Sequence, residues 1–579
     1  MNKRKIDLVE IFNQAWSELY CPPVRLSIVD ESGDSDGCLF TVANGIIYLS
    51  PKRIPRGVDP ERYLLWFFRH QLAHIHHCPY DIKTAYSLER AAYRIINNWD
   101  LAYLAMRIFS EVQVDLRYLP SKYGELPYHV RIVGREDSGL FGRIMDAIYL
   151  CVNPAFKIEN LNLAEAAREI IFISHLERPW HLKVQMIASV LGRLMRMEPR
   201  LFSKREIKKS IRSETLYVRE DFLNSTIERI LETYGLVRDE DEAQRFFEQW
   251  LRPRLPSDEN ERLKKTLSLN LRGSKRILKD LKVEKKDSKP AKKRPAIGGD
   301  LKGEPHLSVS SSKPYEKIRE RLDEILWRRY WFKSRAQQAI IEYITESRRR
   351  RPAWSIMRYP DEWYIEDDIE ELDLEASLEE GPIIPEVTTL RWIEEPTPYG
   401  QSFSSGFVPS AIIVLDASLS MIEAHNEAAV AAFIAYLSAR RSGGETAVIT
   451  FSTGFASADW RSPDEVKELI LSMRFDEFTI FPLHEIRRFI SEKAEPCFIV
   501  VITDGGWQNL DEAIPFLEDL SDLGHRIAIF LIKGGEYSDR IDSIRRIPNL
   551  QIYSVTDPER DLNGLVLSET MKSYGRFLT

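Results

Sequence analysis

The chain has 579 residues, 44% of them apolar, which is long enough for several domains at about 150 residues each and apolar enough for buried cores. A net charge of −7 spread over that length gives no global pull toward nucleic acid or an anionic membrane. Five cysteines without regular spacing argue against a disulfide framework, the N-terminus lacks an apolar signal core, and no uncharged apolar run approaches the roughly 20 residues of a membrane span, so the expectation is a cytoplasmic protein.

In chain order, residues 5–19 read as a short helix. Val24–Val29, Cys38–Val42 and Ile46–Ser50 read as strands, with Asn44-Gly45 as a hairpin turn between the last two. Asp59–His77, Ile82–Asn97 and Asp100–Leu119 read as helices. Together these predict an α+β N-terminal unit over 1–134. From 135 to 272 apolar residues recur at three- and four-residue spacing. Helices are expected over Leu140–Cys151, Leu163–Leu176, His181–Arg196, Lys204–Ser213, Asp221–Tyr234 and Glu240–Arg252. This helical region is either a bundle of its own or an extension of the first unit.

Residues 273–315 are rich in lysine (Lys279, Lys282, Lys285, Lys286) and read as a flexible linker. Its plain role is a solvated tether, and its sharper one is a basic arm for RNA or an acidic partner. Tyr315–Arg349 reads as a helix. Its Trp327-Arg-Arg-Tyr-Trp331 can stack bases, or can pack one helix face with arginine on the other. The acidic Glu366–Glu380 can dock against a basic surface of the chain, and Pro382–Ser410 reads as an irregular lead-in. The span 316–404 is therefore a helical and irregular connecting region.

From 405 to 579 strands and helices alternate. Strands fall at 411–415, 446–452, 497–502, 526–532 and 550–555. Helices fall near 423–440, 463–473, 482–493, 510–522, 537–546 and 559–576. The strands are almost continuously apolar, as in a parallel sheet covered on both faces. The pattern implies a doubly wound α/β domain with its site at the carboxyl ends of the strands.

Two of those strand ends carry carboxylates. Asp416, Ser418 and Ser420 follow the first strand as Asp-x-Ser-x-Ser, and Asp504 follows Cys497-Phe-Ile-Val-Val-Ile-Thr. Thr479 lies between them, just before a helix. Neutral hydroxyls beside carboxylates make a hard oxygen site suited to Mg²⁺ or Mn²⁺. Mg²⁺ wants six oxygens and these residues offer about five, which leaves a position for water or a partner's carboxylate. No glycine-rich phosphate loop accompanies them.

This arrangement resembles the von Willebrand factor A (VWA) domain over roughly 405–579. The resemblance implies that Asp416, Ser418, Ser420, Thr479 and Asp504 form a metal-ion-dependent adhesion site that binds a partner protein. Two departures stand out. Leu419 sits where glycine is common, and Asp-Glu-Phe rather than a glycine-rich stretch precedes Thr479.

The N-terminal unit carries a second constellation. His70 and His74 share one helix face, with the spacing of the H-E-x-x-H zinc motif, and Glu111 and Asp115 lie on a later helix. Over about 24–120 this resembles the gluzincin metallopeptidases. That resemblance implies His70, His74 and Glu111 as Zn²⁺ ligands, with Asp115 supporting a histidine from behind. The general-base position is Gln71, and a carboxamide cannot take a proton from metal-bound water near neutral pH. Rival sets are His70, His74 and Cys78, or one drawn from His76 and His77. The histidines can also be satisfied by Glu111 and Asp115 without metal.

A zincin-like unit, a helical middle and a C-terminal VWA-like domain together resemble a prokaryotic family of VWA proteins, often paired with MoxR-type AAA+ ATPases. The expectation is a metal-dependent interaction adaptor working with such an ATPase in complex assembly, with no membrane or nucleic-acid role and no catalytic residue assigned. The alternatives are a zinc metallopeptidase with an unorthodox base and an RNA-binding protein using the Lys-rich linker.

Overall fold

The computed structural model describes residues 7–28, 40–43, 46–50 and most of 54–256, except 56, 132–138, 154–159, 213–215, 217 and 223–225. It further describes residue 262 and most of 314–574, except 351–356, 366, 368, 370–371, 375–376, 379–380, 396–407, 476–478 and 533–541. The Lys-rich linker up to 313 and the Asn44-Gly45 turn lie outside these residues. The chain divides into two compact units, Met1–Glu259 and Asn260–Thr579.

In the first unit, helix α1 (Leu8–Glu18) packs on α2 (Pro60–His76). Asp59 caps α2 by accepting from the backbone N–H groups of Glu61 and Arg62, and Pro60 occupies the first turn, where its missing N–H costs nothing. Strands β1 (Arg25–Ile28), β2 (Phe40–Ala43) and β3 (Ile46–Leu49) form a sheet in the order β1-β3-β2. β2 and β3 pair antiparallel, as a hairpin requires, and β1 pairs with β3 in parallel. Phe12, Leu19, Leu49, Leu64, Phe68 and Leu72 make the core beneath this sheet.

Helices α3 (Ile82–Ile96) and α4 (Trp99–Val112) follow. α4 does not run to Leu119 as one α-helix, because it widens into a π-helical stretch over Gln113–Tyr118. Later come α5 (Leu140–Val152), α6 (Leu161–His175) and α7 (Trp180–Met197). α7 packs on both α3 and α4, so helices from both sides of residue 134 share one compact unit.

In the second unit, helix α8 (Pro314–Arg350) lies against α9 (His425–Arg441). The unit's main sheet has six strands: β7 (Ala411–Asp416), β8 (Thr446–Phe451), β9 (Phe455–Ala458), β10 (Phe498–Thr503), β11 (Arg526–Ile532) and β12 (Leu550–Val555). Their order is β12-β11-β10-β7-β8-β9. Five strands are parallel, and β9 adds an antiparallel edge beside β8. β7, β8 and β10 are buried along their whole length, which explains their unbroken apolar sequences. From β7 the chain steps to β8 on one side and later to β10 on the other. The gap between the ends of β7 and β10 is therefore the topological switch point. A smaller sheet has the order β4-β6-β5, with β4 (Met357–Glu362), β5 (Leu372–Asp373) and β6 (Leu390–Glu395).

The aromatic and basic run on α8 is packed rather than displayed. Trp327, Tyr330, Trp331 and Phe332 are buried, and so are Arg328, Arg329 and Arg335. The expectation of arginine on an outer face is corrected here. Arg329 and Lys333 both reach Glu468, at 2.7 and 2.6 Å, and Arg335 binds both oxygens of Glu427 at 2.7 and 2.9 Å. Buried carboxylates make burial of these cations tolerable, and no stacking platform for bases is left on this face.

Candidate functional sites

At the switch point Asp416 ends β7, opposite Phe451 of β8 and beside the end of β10. Its side chain is fully buried. Thr503 Oγ1 donates to Asp416 Oδ2 at 2.7 Å, and the Ser418 N–H donates to Asp416 Oδ1 at 3.0 Å. Ser418 and Ser420 hydroxyls lie 3.1 Å apart. The Trp507 indole and the Gly505 N–H both donate to Thr503 Oγ1 at 3.0 Å, so the hydroxyl proton is free to point at Asp416. Gly505 has φ +86°, a left-handed turn that suits glycine.

Asp504 is also buried, one residue past β10. Burial, and then the nearby Asp504 charge, push the Asp416 carboxyl up to about 7 against the opposing hydrogen bonds from Thr503 and Ser418. Two buried carboxylates beside one another fit a divalent ion, which would offset both the burial and their mutual repulsion. Thr479 is held between two loops: its carbonyl accepts from the Gln508 N–H at 3.0 Å, and the next residue's N–H donates to Ser452 O at 2.9 Å. Leu419 is exposed and opens a short 3₁₀ turn over Leu419–Met421. Residues 476–478 ahead of Thr479 lie outside the described residues.

In the first unit, α2 and α4 face each other across the second constellation. His70 Nε2 is 3.3 Å and His74 Nε2 3.7 Å from the same oxygen of Glu111, Oε2. The His70 Nδ1–H donates to Asp115 Oδ1 at 2.7 Å, and the His74 Nδ1–H donates to the Cys78 carbonyl at 2.7 Å. Both rings thus turn Nε2 toward Glu111. His74 Nε2 is buried and has no hydrogen-bond partner among the described residues. Two Nε2 atoms and a carboxylate converging within 4.8 Å are a donor set suited to zinc. Burial lowers the His70 pKa, but Asp115 and then Glu111 outweigh it and push it up to about 10. Burial raises the Glu111 carboxyl, yet His74 and His70 hold it well below the usual range.

Sequence reasoning missed two groups here. His129 Nε2 lies 3.0 Å and the Tyr149 hydroxyl 2.6 Å from Asp115 Oδ2, so that carboxylate binds His70 on one oxygen and these two groups on the other. Both come from distant segments with no motif spacing to announce them. Of the rival ligands, Cys78 contributes its carbonyl to His74, and burial pushes its thiol pKa up. The His76 and His77 rings pack on Tyr20 and Tyr118, at 4.7 and 4.3 Å between centroids. Gln71 is half-buried on α2.

The second unit is thus a doubly wound α/β domain with an acid-and-hydroxyl cluster at its switch point. No family model and no curated protein matches the chain. Solved structures that resemble part of the chain include two that each cover 29% of it. One is a von Willebrand factor type A protein from Catenulispora acidiphila, with 18% identity, TM-score 0.23 and 43% of that protein covered. The other is an aerotolerance-related membrane protein from Bacteroides fragilis, with 17% identity, TM-score 0.22 and 98% covered. The match spans less than half the length of the first of these. No helix among the described residues is long and apolar enough to cross a membrane.

Proposed function

We propose that this chain is a metal-dependent protein-interaction adaptor. The observation that carries the reading is the meeting of Asp416 and Asp504 at adjacent ends of β7 and β10, with Ser418 and Ser420 beside them. Mg²⁺ or Mn²⁺ would be held by these residues and Thr479, and an open position would accept an acidic side chain of the partner. The MoxR-type AAA+ ATPase as that partner is supported by the sequence resemblance alone. In the first unit, His70, His74 and Glu111 would hold Zn²⁺ as a brace between α2 and α4. Gln71 supplies no base, which favours a structural or binding role there over hydrolysis.

The test is recovery of partners from native lysate by the full chain, in Mg²⁺ and in EDTA. Partners should weaken by more than about tenfold in EDTA and in Asp416→Ala, because loss of a buried charged contact costs ~2–5 kcal/mol. Identical partners under both conditions would sink the metal-bridged model.

A further inference from the structure

Beyond the C-terminal end of α2 lies a partly exposed face that neither candidate metal site uses. Rings from four segments of the first unit meet there. Tyr20, 69% exposed, lies 4.7 Å from His76 between ring centroids. His76 reaches Tyr118 at 5.8 Å, and His77 stacks on Tyr118 at 4.3 Å with 15° between the planes. Trp180, the first residue of α7, meets His77 edge-on at 5.7 Å. Each ring touches the next, so the face is continuous. Tyr20 and Cys21 present its exposed end in two successive left-handed backbone conformations, φ +66° and +52°, which non-glycine residues rarely adopt.

The charges on this face are positive. The Lys122 ammonium lies 4.4 Å from the Tyr20 ring centroid, and the Arg117 guanidinium donates to the Ser174 carbonyl at 2.8 Å. Neither cation has a carboxylate partner among the described residues. Elsewhere in the same unit Arg69 pairs with Glu18 at 2.7 Å and Arg254 with Asp221 at 2.5 Å. Burial first, and then Lys122, lowers the His76 pKa; for His77 burial leads, and the neighbouring histidines and Arg117 follow. The occupant must therefore bring negative charge. Nucleobases are disfavoured, because the His77 and Tyr118 rings already cover each other's faces and base stacking needs an open one. Arg117 and Lys122 are also fewer than the cluster of about 4–8 cations that marks a lipid-binding surface. We propose that this face docks an acidic segment of a partner protein, whose carboxylates meet Lys122 and Arg117 beside the row of rings. The surface gives the adaptor a second contact, independent of the switch-point metal.

The test uses the full chain and a labelled oligoglutamate peptide, with oligothymidylate as the nucleic-acid control. The peptide should bind saturably and weaken as salt rises. Lys122→Glu should weaken it by about tenfold, whereas Lys285→Glu/Lys286→Glu in the Lys-rich linker should not. Carbodiimide condenses a carboxylate with an amine to an amide, taking up the water released. Peptide mapping after this treatment should therefore find the oligoglutamate joined to Lys122. That readout needs no variant, so the proposal stays testable if a substitution misfolds. Binding should be the same with and without Mg²⁺, which separates its outcome from that of the metal-bridged reading. No saturable binding, undiminished binding by Lys122→Glu, or cross-links confined to the linker would each overturn the proposal. So would displacement of the peptide by an equal concentration of oligothymidylate, which would make nucleic acid the occupant.

Discussion

His74 donates its Nδ1 proton to the Cys78 carbonyl at 2.7 Å, and this one bond fixes the tautomer that turns the Nε2 lone pair toward Glu111. A carbonyl can only accept, so the assignment follows from chemistry. His70 is oriented through Asp115, which is in turn held by His129 and Tyr149. The two rings are thus held with Nε2 toward Glu111.

Zinc retention is the first consequence. Protein incubated with Zn²⁺ and desalted should keep about one equivalent by elemental analysis. His74→Ala and Glu111→Gln should lose it. Asp115→Ala keeps all three ligands but frees His70 to rotate, and should weaken zinc by about 10–100-fold in chelator competition. Retention below roughly 0.2 equivalents by the unsubstituted chain would favour the metal-free arrangement.

Hydrolysis is the second. Unfolded protein substrates incubated with the zinc-loaded chain should remain intact, since Gln71 offers no titratable group. Gln71→Glu tests whether the base alone is missing. Turnover by the unsubstituted chain that vanishes in His74→Ala would mean that another base operates.

The switch-point site should bind Mg²⁺ with proton release. Asp416 sits near 7 without a cation, so at neutral pH a fraction of it must deprotonate on binding. Calorimetric heats should then vary with the ionisation enthalpy of the buffer, and Asp416→Ala should abolish them. Equal heats from both proteins would remove Asp416 from the ligand set. The whole chain is needed, because α8 is tied to the sheet domain through Glu427 and Glu468.

Those ties give a stability prediction. Glu468 is 1% exposed and receives both Arg329 and Lys333. Glu468→Ala would remove the buried carboxylate that Arg329 and Lys333 share and should destabilise the second unit by about 3–5 kcal/mol. Denaturant unfolding of the two proteins measures it, and a change under about 1 kcal/mol would show that the pair is solvated in solution.

The two side-chain clusters were legible because each rests on short-range spacing: His70 and His74 one helical turn apart, Asp416, Ser418 and Ser420 on alternate residues. The β7, β8, β10 and β11 strands were legible because burial on two faces demands nearly unbroken apolar runs. β9 was not, since Phe455-Ala-Ser-Ala458 is short and small-residued and pairs only as an edge. Nor was the π-helical widening after Val112, which local periodicity does not record. The burial of Arg329 and Arg335 depends on Glu468 and Glu427, 139 and 92 residues away. His129 and Tyr149 likewise meet Asp115 only through tertiary packing. The helix expected over 537–546 survives as a 3₁₀ turn, Asp542–Arg546, with 537–541 outside the described residues.

The contribution of Glu89 to the stability of the first unit should fall as pH rises from about 4.5 to about 7. Glu89 on α3 is 1% exposed and accepts from the Trp250 indole at 2.7 Å. Burial raises its pKa from 4.5 to about 7, outweighing the Arg245 charge and the Trp250 hydrogen bond, which lower it. The folded state therefore binds more protons than the unfolded state within that window, and stability must fall as the proton is withdrawn. The stabilisation from neutral Glu89 is fully present below about 4.5 and gone above about 7. A shift of this size corresponds to something on the order of 3 kcal/mol across the window. Glu89→Gln keeps an acceptor for Trp250 and cannot ionise. Its denaturant midpoint for this unit should therefore vary less with pH than that of the unsubstituted chain, and should lie above it at pH 8. Parallel pH profiles for the two proteins would show that Glu89 is already ionised in the fold.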